Sequence, residues 1–146
     1  MRVALHSQVT ESIKKGAIPL LGCDPVAGQG YYYKVSVLDR VQPGMPAYDD
    51  ELFGPVAAVI RAQNEADALR IANDSRFGLG GSVYTRDPKR GEAFARALRS
   101  GQAFVNGMVK SDPRLPFGGI KASGYGRELG LHGIREFVNS KTIWIK

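Results

Sequence analysis

The sequence predicts an α/β protein with a parallel β-α-β-α-β core. Three observations carry that expectation: short apolar, β-branched runs; amphipathic helical stripes that alternate with them; and cap or proline signals where each helix begins. Residues 55–60 read as the first buried strand. Asn64 is placed to cap the next helix, with Asp67 in its first turn and Ala68, Ile71 and Ala72 on one face. Gly78 ends that section, and residues 79–84 form the second strand. Asp87 and Pro88 supply a cap and an N1 proline for a helix whose stripe is Ala93, Phe94, Ala97 and Leu98, stopped by Gly101. Residues 102–106 are the third strand. Right-handed crossovers make these strands parallel, with helices covering the faces.

Ahead of this core, Leu5, Val9 and Ile13 mark an i, i+4 stripe, a helix closed by Gly16. The apolar Ile18 to Leu21 leads into turn-rich residues 22–30, then into an aromatic, β-branched strand over residues 31–38. A proline- and glycine-bearing loop spans residues 43–46. Beyond Asn106 lies a loop and then the glycine-dense Pro116 to Glu128, where so much Gly implies close backbone approach to a ligand or another segment. A short helix follows, with Leu131, Ile134 and Phe137 expected inward. Residues 142–145, β-branched and aromatic, read as a strand that returns to a sheet or adds to a partner's edge.

At 146 residues the chain is about one domain, long enough to bury a core. Its 43% hydrophobic and 23% charged residues exclude disorder and a collagen-like repeat. No apolar run approaches a membrane span, and no signal-peptide h-region opens the chain, so a cytoplasmic address is expected. A formal charge of +6 favours anionic partners, but the basic residues are scattered and no nucleic-acid partner is expected. One cysteine, Cys23, and two distant histidines, His6 and His132, provide neither a disulfide nor a metal site.

Cys23 is not flanked by an evident base, and its plain reading is a small semi-buried thiol. No Gly-x-Gly-x-x-Gly opens a helix after a strand, so the usual pyrophosphate cradle is missing. Glu51 and Phe53 stand two positions apart, ahead of a buried strand, and an extended backbone turns both the same way. A carboxylate and a ring can grip a sugar-bearing ligand; a solvated Glu beside a core Phe is the alternative.

Glu51-Leu52-Phe53-Gly54-Pro55-Val56, Ala72-Asn73-Asp74-Ser75, Phe77-Gly78-Leu79, Val105-Asn106 and Pro116-Phe117-Gly118-Gly119 through Arg127-Glu128-Leu129-Gly130 together resemble the aldehyde dehydrogenase superfamily, in order and spacing. The pattern is similar to that of the succinate-semialdehyde dehydrogenase branch. The resemblance implies the later half of the catalytic domain over residues 1–140, an oligomerisation strand over residues 141–146, and no Rossmann domain. It also implies NAD- or NADP-dependent oxidation of a small aldehyde to an acid through a cysteine thiohemiacetal, hydride transfer and thioester hydrolysis.

By the same resemblance Glu51 holds the nicotinamide-ribose hydroxyls and Phe53 packs beside them. Asn106 lies under the substrate tunnel, Phe117 lines it, and Ser111 binds the distal carboxylate of a semialdehyde. Glu128 belongs to the proton relay of deacylation. Alternatives stay open: Asn106 ties down a loop, Phe117 is core, and Glu128 pairs with Arg127 or caps the next helix. The family's nucleophilic Cys and general-base Glu have no match here, so Cys23 is not the nucleophile. The expectation is a chain without turnover and without bound cofactor on its own, a homo-oligomer through its C-terminal strand, completed by a missing N-terminal half. A self-associating or subunit-pairing module without catalysis is the alternative.

Overall fold

The computed structural model describes all residues, Met1–Lys146. The chain forms two compact units, Met1–Ala68 and Leu69–Lys146. Helix α1 (Arg2–Lys14) opens the first unit and buries Leu5, Val9 and Ser12. It ends as the sequence predicts: Ala17 N–H donates to Ser12 O and Gly16 N–H to Ile13 O, with Gly16 at φ +109°. Only glycine reaches that conformation without strain, and the paired bonds satisfy carbonyls the helix end would otherwise orphan. The Ser12 hydroxyl donates to Gln8 O and accepts from Ala47 N–H, tying α1 to the one-turn helix α2 (Pro46–Asp49). The proline loop expected over residues 43–46 thus leads into a turn of helix too short to show a period.

Strands β1 (Ile18–Leu21) and β2 (Ser36–Asp39) pair antiparallel, and β2 pairs parallel with β3 (Val56–Ala58), in register from Ser36↔Val56 to Leu38↔Ala58. Leu38, Val41, Met45 and Ala47 join Leu5, Val9, Ala17 and Cys23 in one buried core. The strand expected over residues 31–38 contributes only its end. Val26 N–H bonds Tyr32 O and Lys34 N–H bonds Asp24 O, so the earlier residues fold back on the preceding loop.

Helix α3 (Glu65–Asp74) starts at the expected cap: Asn64 Oδ1 accepts from Asp67 N–H, and Asp67 Oδ2 accepts from Gln63 N–H. The unit boundary falls inside this helix. In the second unit β4 (Phe77–Gly78) pairs antiparallel with β7 (Ile120–Lys121). Strand β5 (Gly80–Val83) pairs parallel with β6 (Gln102–Val105), joined by α4 (Pro88–Ala97). Asp87 caps α4 by accepting from Lys89 N–H and Arg90 N–H. A short α5 (Gly130–Arg135) follows.

Three expectations are corrected. The β-α-β-α-β core is not one ladder: β3 bonds to β2 rather than to β5, because sheet order is a non-local choice that spacing does not encode. Leu131, Ile134 and Phe137 face outward, with Phe137 90% exposed; the chain offers that face no apolar cover. Residues 142–145 do not return to a sheet of this chain, and Trp144 stands 86% exposed. No helix is long and apolar enough to cross a membrane.

Candidate functional site

Glu51 and Phe53 lie on the turn between α2 and β3. Gly54 N–H donates to Leu52 O and Val56 N–H to Gly54 O, which folds this stretch tightly. Leu52 packs against the core while Glu51 and Phe53 are exposed, Phe53 at 60%, so the alternative of a core Phe beside a solvated Glu is corrected. The turn is seated close on α1: a side chain on Gly54 would collide with Leu5 Cδ2. Gln8 Nε2 also reaches Glu51 O at 3.5 Å.

The remaining candidate residues belong to the second unit. Asn106, at φ +54°, closes the open end of the β5–β6 ladder. Its Oδ1 accepts from Thr85 N–H at 2.8 Å and its Nδ2 donates to Thr85 O at 2.9 Å. Both polar atoms of the Asn106 amide are thus engaged with the Thr85 backbone.

Phe117 and Glu128 are brought together. They exchange both backbone bonds, Phe117 N–H to Glu128 O and Glu128 N–H to Phe117 O, each 2.7 Å. Residues opposite one another in an antiparallel pair put their side chains on one face of the ladder. Both line an open cavity of about 470 Å³ that also includes Leu79, Tyr125 and Arg127. Neither alternative for Glu128 is taken up: α5 has Leu129 at its N-cap with no side-chain cap, and the Arg127 guanidinium binds carbonyl oxygens.

Ser111 is exposed. Its neighbours Lys110 and Asp112 line a second cavity, about 270 Å³, with Gln102, Phe104, Leu115 and Phe117. Asp112 is gripped by Arg114: Oδ1 accepts from the Arg114 backbone N–H and Nε, each at 2.9 Å, and Oδ2 accepts from Nη2 at 2.7 Å. The guanidinium bonds first, and the backbone bond second, hold the Asp112 carboxyl far below the usual carboxylate range.

Cys23 is buried, at φ +69°, with its thiol donating to Leu21 O at 3.3 Å. Burial is the main cause pushing the thiol above its ordinary value, which favours the unreactive protonated form. Close by, burial chiefly raises the Tyr33 hydroxyl to about 12, and that hydroxyl lies 3.1 Å from His6 Nδ1. No three His, Cys, Asp or Glu side chains gather in one cluster.

Several polar residues that frame the site escaped the sequence reading. Asn73 joins the ends of α3 and α4, donating from Nδ2 to Ala97 O and accepting at Oδ1 from Arg99 N–H. Lys121 Nζ donates to Asn73 O and Ser75 O, and Ser123 Oγ accepts from Gly78 N–H. Their signal was present as polar residues inside the quoted motifs; their partners, more than twenty positions away, were not.

The model of the aldehyde dehydrogenase family matches residues 2–143. The chain belongs to that family. Among its relatives is a succinate-semialdehyde dehydrogenase named for NADP(+) from Mycobacterium ulcerans, 46% identical over 144 residues, with 99% of this chain and 31% of the relative covered. A succinate semialdehyde dehydrogenase named for NAD(P)+ from Escherichia coli is 45% identical, with the same shares covered. Among solved structures, a Streptococcus pyogenes succinic semialdehyde dehydrogenase in complex with NADP+ superposes with a TM-score of 0.94 at 34% identity, covering 99% of this chain and 32% of that one. A Mycobacterium tuberculosis aldehyde dehydrogenase complexed with NAD+ gives 0.88 at 37% identity, covering 93% and 28%. The chain thus spans about a third of the length of the curated relatives it matches. Its α/β fold is that of aldehyde dehydrogenase structures.

Proposed function

We propose that this aldehyde dehydrogenase segment supplies cofactor-orienting and substrate-facing groups to an NAD(P)-dependent oxidation of a short, acid-bearing semialdehyde. The observation that carries the reading is the Phe117–Glu128 pair, an aromatic ring and a carboxylate set on one face of a two-bond bridge beside an open cavity. The 45% and 46% identity to enzymes named for succinate semialdehyde supports the substrate class.

The outward Glu51 carboxylate and Phe53 ring fit a dinucleotide's sugar: one accepts from hydroxyls and the other offers a flat apolar face. When bound, that cofactor supplies the hydride acceptor. Glu51 and Phe53 contribute orientation, which lowers the barrier by holding the reacting groups in line. Ser111 donates to the distal carboxylate of the aldehyde, Asn106 floors the tunnel, and Phe117 walls it. Glu128 passes a proton in deacylation. The nucleophile and general base come from the remaining part of the enzyme, so the chain alone has no turnover and no tightly held cofactor. The reading carries a cytoplasmic address with it.

The test replaces the matching third of the Escherichia coli relative with this chain and follows NAD(P)H formation from succinic semialdehyde. Turnover by the chimera, with none by the isolated chain, supports the reading. An inactive but folded chimera overturns it. Ser111→Ala in the chimera raises KM for acid-bearing semialdehydes and not for uncharged aldehydes; equal effects remove Ser111 from the role.

A second reading, self-association or subunit pairing without catalysis, is favoured by the exposed Ile143, Trp144 and Ile145. Apolar side chains gathered on an accessible segment favour a partner surface. Light scattering decides it: dimers or larger species that dissociate on deleting residues 142–146 support pairing, and a monomer at high concentration refutes it.

A further inference from the structure

The Gly118–Gly119 segment is held by side chains as well as by its backbone. Gln102 Nε2 donates to Gly118 O at 2.8 Å. Arg127 Nη1 donates to Gly119 O at 2.8 Å and to Gly126 O at 2.6 Å, bridging the outgoing and returning segments. The fit is close enough that a Cβ on Gly118 would stand 3.1 Å from Arg127 Cδ and collide with Gly126 O. Arg127 is itself half-buried; its charge-assisted bond to Gly119 O is partly shielded from competing water, while the bond to Gly126 O lies at the surface.

This clamp sits next to the isolated Phe117↔Glu128 bridge, which has no ladder on either side to support it. One pair of backbone bonds between glycine-rich segments is a weak restraint on its own, because each glycine carries a large conformational entropy into the unfolded alternatives. The guanidinium removes that freedom on both sides of the bridge at once. By binding carbonyls rather than the adjacent carboxylate, it also leaves Glu128 outside any fork with its neighbour.

We infer that Arg127, assisted by Gln102, is a positioning residue that locks the two glycine-rich segments together and so sets the Phe117 ring and the Glu128 carboxylate side by side. The inference rests on the proposed roles of Phe117 and Glu128 for its catalytic meaning, but the clamp can be read independently of activity.

Residue-resolved amide hydrogen exchange on the full 146-residue chain reads the clamp. Arg127→Ala speeds exchange at the Phe117 and Glu128 amides by about tenfold or more, the loss expected when a charged hydrogen bond is removed from a locally opening unit. The Gln102 and Asn106 amides, bonded to Leu79 O and Val83 O in the neighbouring ladder, stay within about twofold. Arg127→Lys, a point donor on a different stem, restores part of the protection, and added guanidinium ion restores part of it to Arg127→Ala. Unchanged exchange at Phe117 and Glu128, or equal acceleration throughout the unit, overturns the clamp. In the active chimera Arg127→Ala lowers kcat with cofactor KM unchanged, and guanidinium recovers kcat. Lost amide protection with unaltered kcat keeps the clamp and refutes the roles of Phe117 and Glu128, which separates the two failures.

Discussion

The two units bury different things. The first places Leu5, Val9, Leu38 and Val41 at 3% exposure or less, gathered from a helix, a strand and a loop around one centre. In the second, the buried residues are Gly78, Gly91, Gly119 and Gly133, and no apolar side chain is fully covered. The first is held by removal of hydrocarbon from water, the dominant favourable contribution in folding. The second is held by backbone ladders, capped helix ends and close backbone approach, with Leu131, Ile134 and Phe137 left facing out. A unit rich in satisfied hydrogen bonds and poor in buried hydrocarbon has low intrinsic stability, because each bond mostly replaces one made to water. Candidate residues Phe117 and Glu128 lie in this second unit.

The sharpest way to break the contrast is to cut into each unit's packing. Leu38→Ala is expected to cost about 2–5 kcal/mol, as for a fully buried leucine, while Phe94→Ala, on a half-buried ring, stays below about 2 kcal/mol. Urea unfolding followed by residue-resolved exchange measures both; a larger loss at Phe94 would reveal a core in the second unit. Next, Gly101→Ala drives a Cβ into Gly118 O and is expected to cost about 1–3 kcal/mol, seen as lost protection around Gln102. A neutral Gly101→Ala would show that the glycine backbone approach is not what holds the unit. A smaller loss, about 1 kcal/mol, is expected from Asp87→Ala at the α4 cap, with Asp87→Asn recovering most of it.

The smallest effect is a pH dependence confined to the first unit. Arg61 donates to both carboxylate oxygens of Asp39, from Nε at 3.1 Å and from Nη2 at 2.5 Å, and these bonds lower the Asp39 pKa. A lowered folded pKa contributes stability above the unfolded value of about 3.9, and that contribution fades as pH falls through the folded value. Arg61→Ala therefore destabilises at neutral pH, and its difference from the parent closes in acid. A gap that stays constant down to acid unfolding would show that the pair contributes nothing through ionisation.

Legibility in the sequence followed the range of each interaction. The caps at Asn64 and Asp87 and the stop at Gly16 were readable because each is satisfied within a few residues. The β5–α4–β6 unit was readable because its crossover joins two parallel strands that are neighbours in sequence. The partner of β3 was not, since its ladder runs to Ser36, twenty positions back, through a segment that read as an independent strand. The α2 turn is too short to display a period. At the site, the sequence left open whether Phe53 is core or faces out with Glu51, and the packing of Leu52 on the core decided it. The Phe117–Glu128 bridge did not, because register across eleven residues of glycine-rich chain depends on Arg127 and Gln102 reaching back to carbonyls.

What the amino-acid order determined by itself is α1, α3 and α4 with their caps or stops, the β3, β5 and β6 segments, and the family they belong to. Those properties rest on local torsional preference, hydrophobic period and motif spacing. Only the tertiary structure decided that the strands divide between two units, that Asn106 spends its amide on Thr85, that Phe117 meets Glu128, and that the α5 face and residues 142–145 have no cover. These outcomes depend on which distant backbone groups and apolar surfaces find one another. That choice is made by the free energy of the whole assembly of contacts, and no window of sequence contains it.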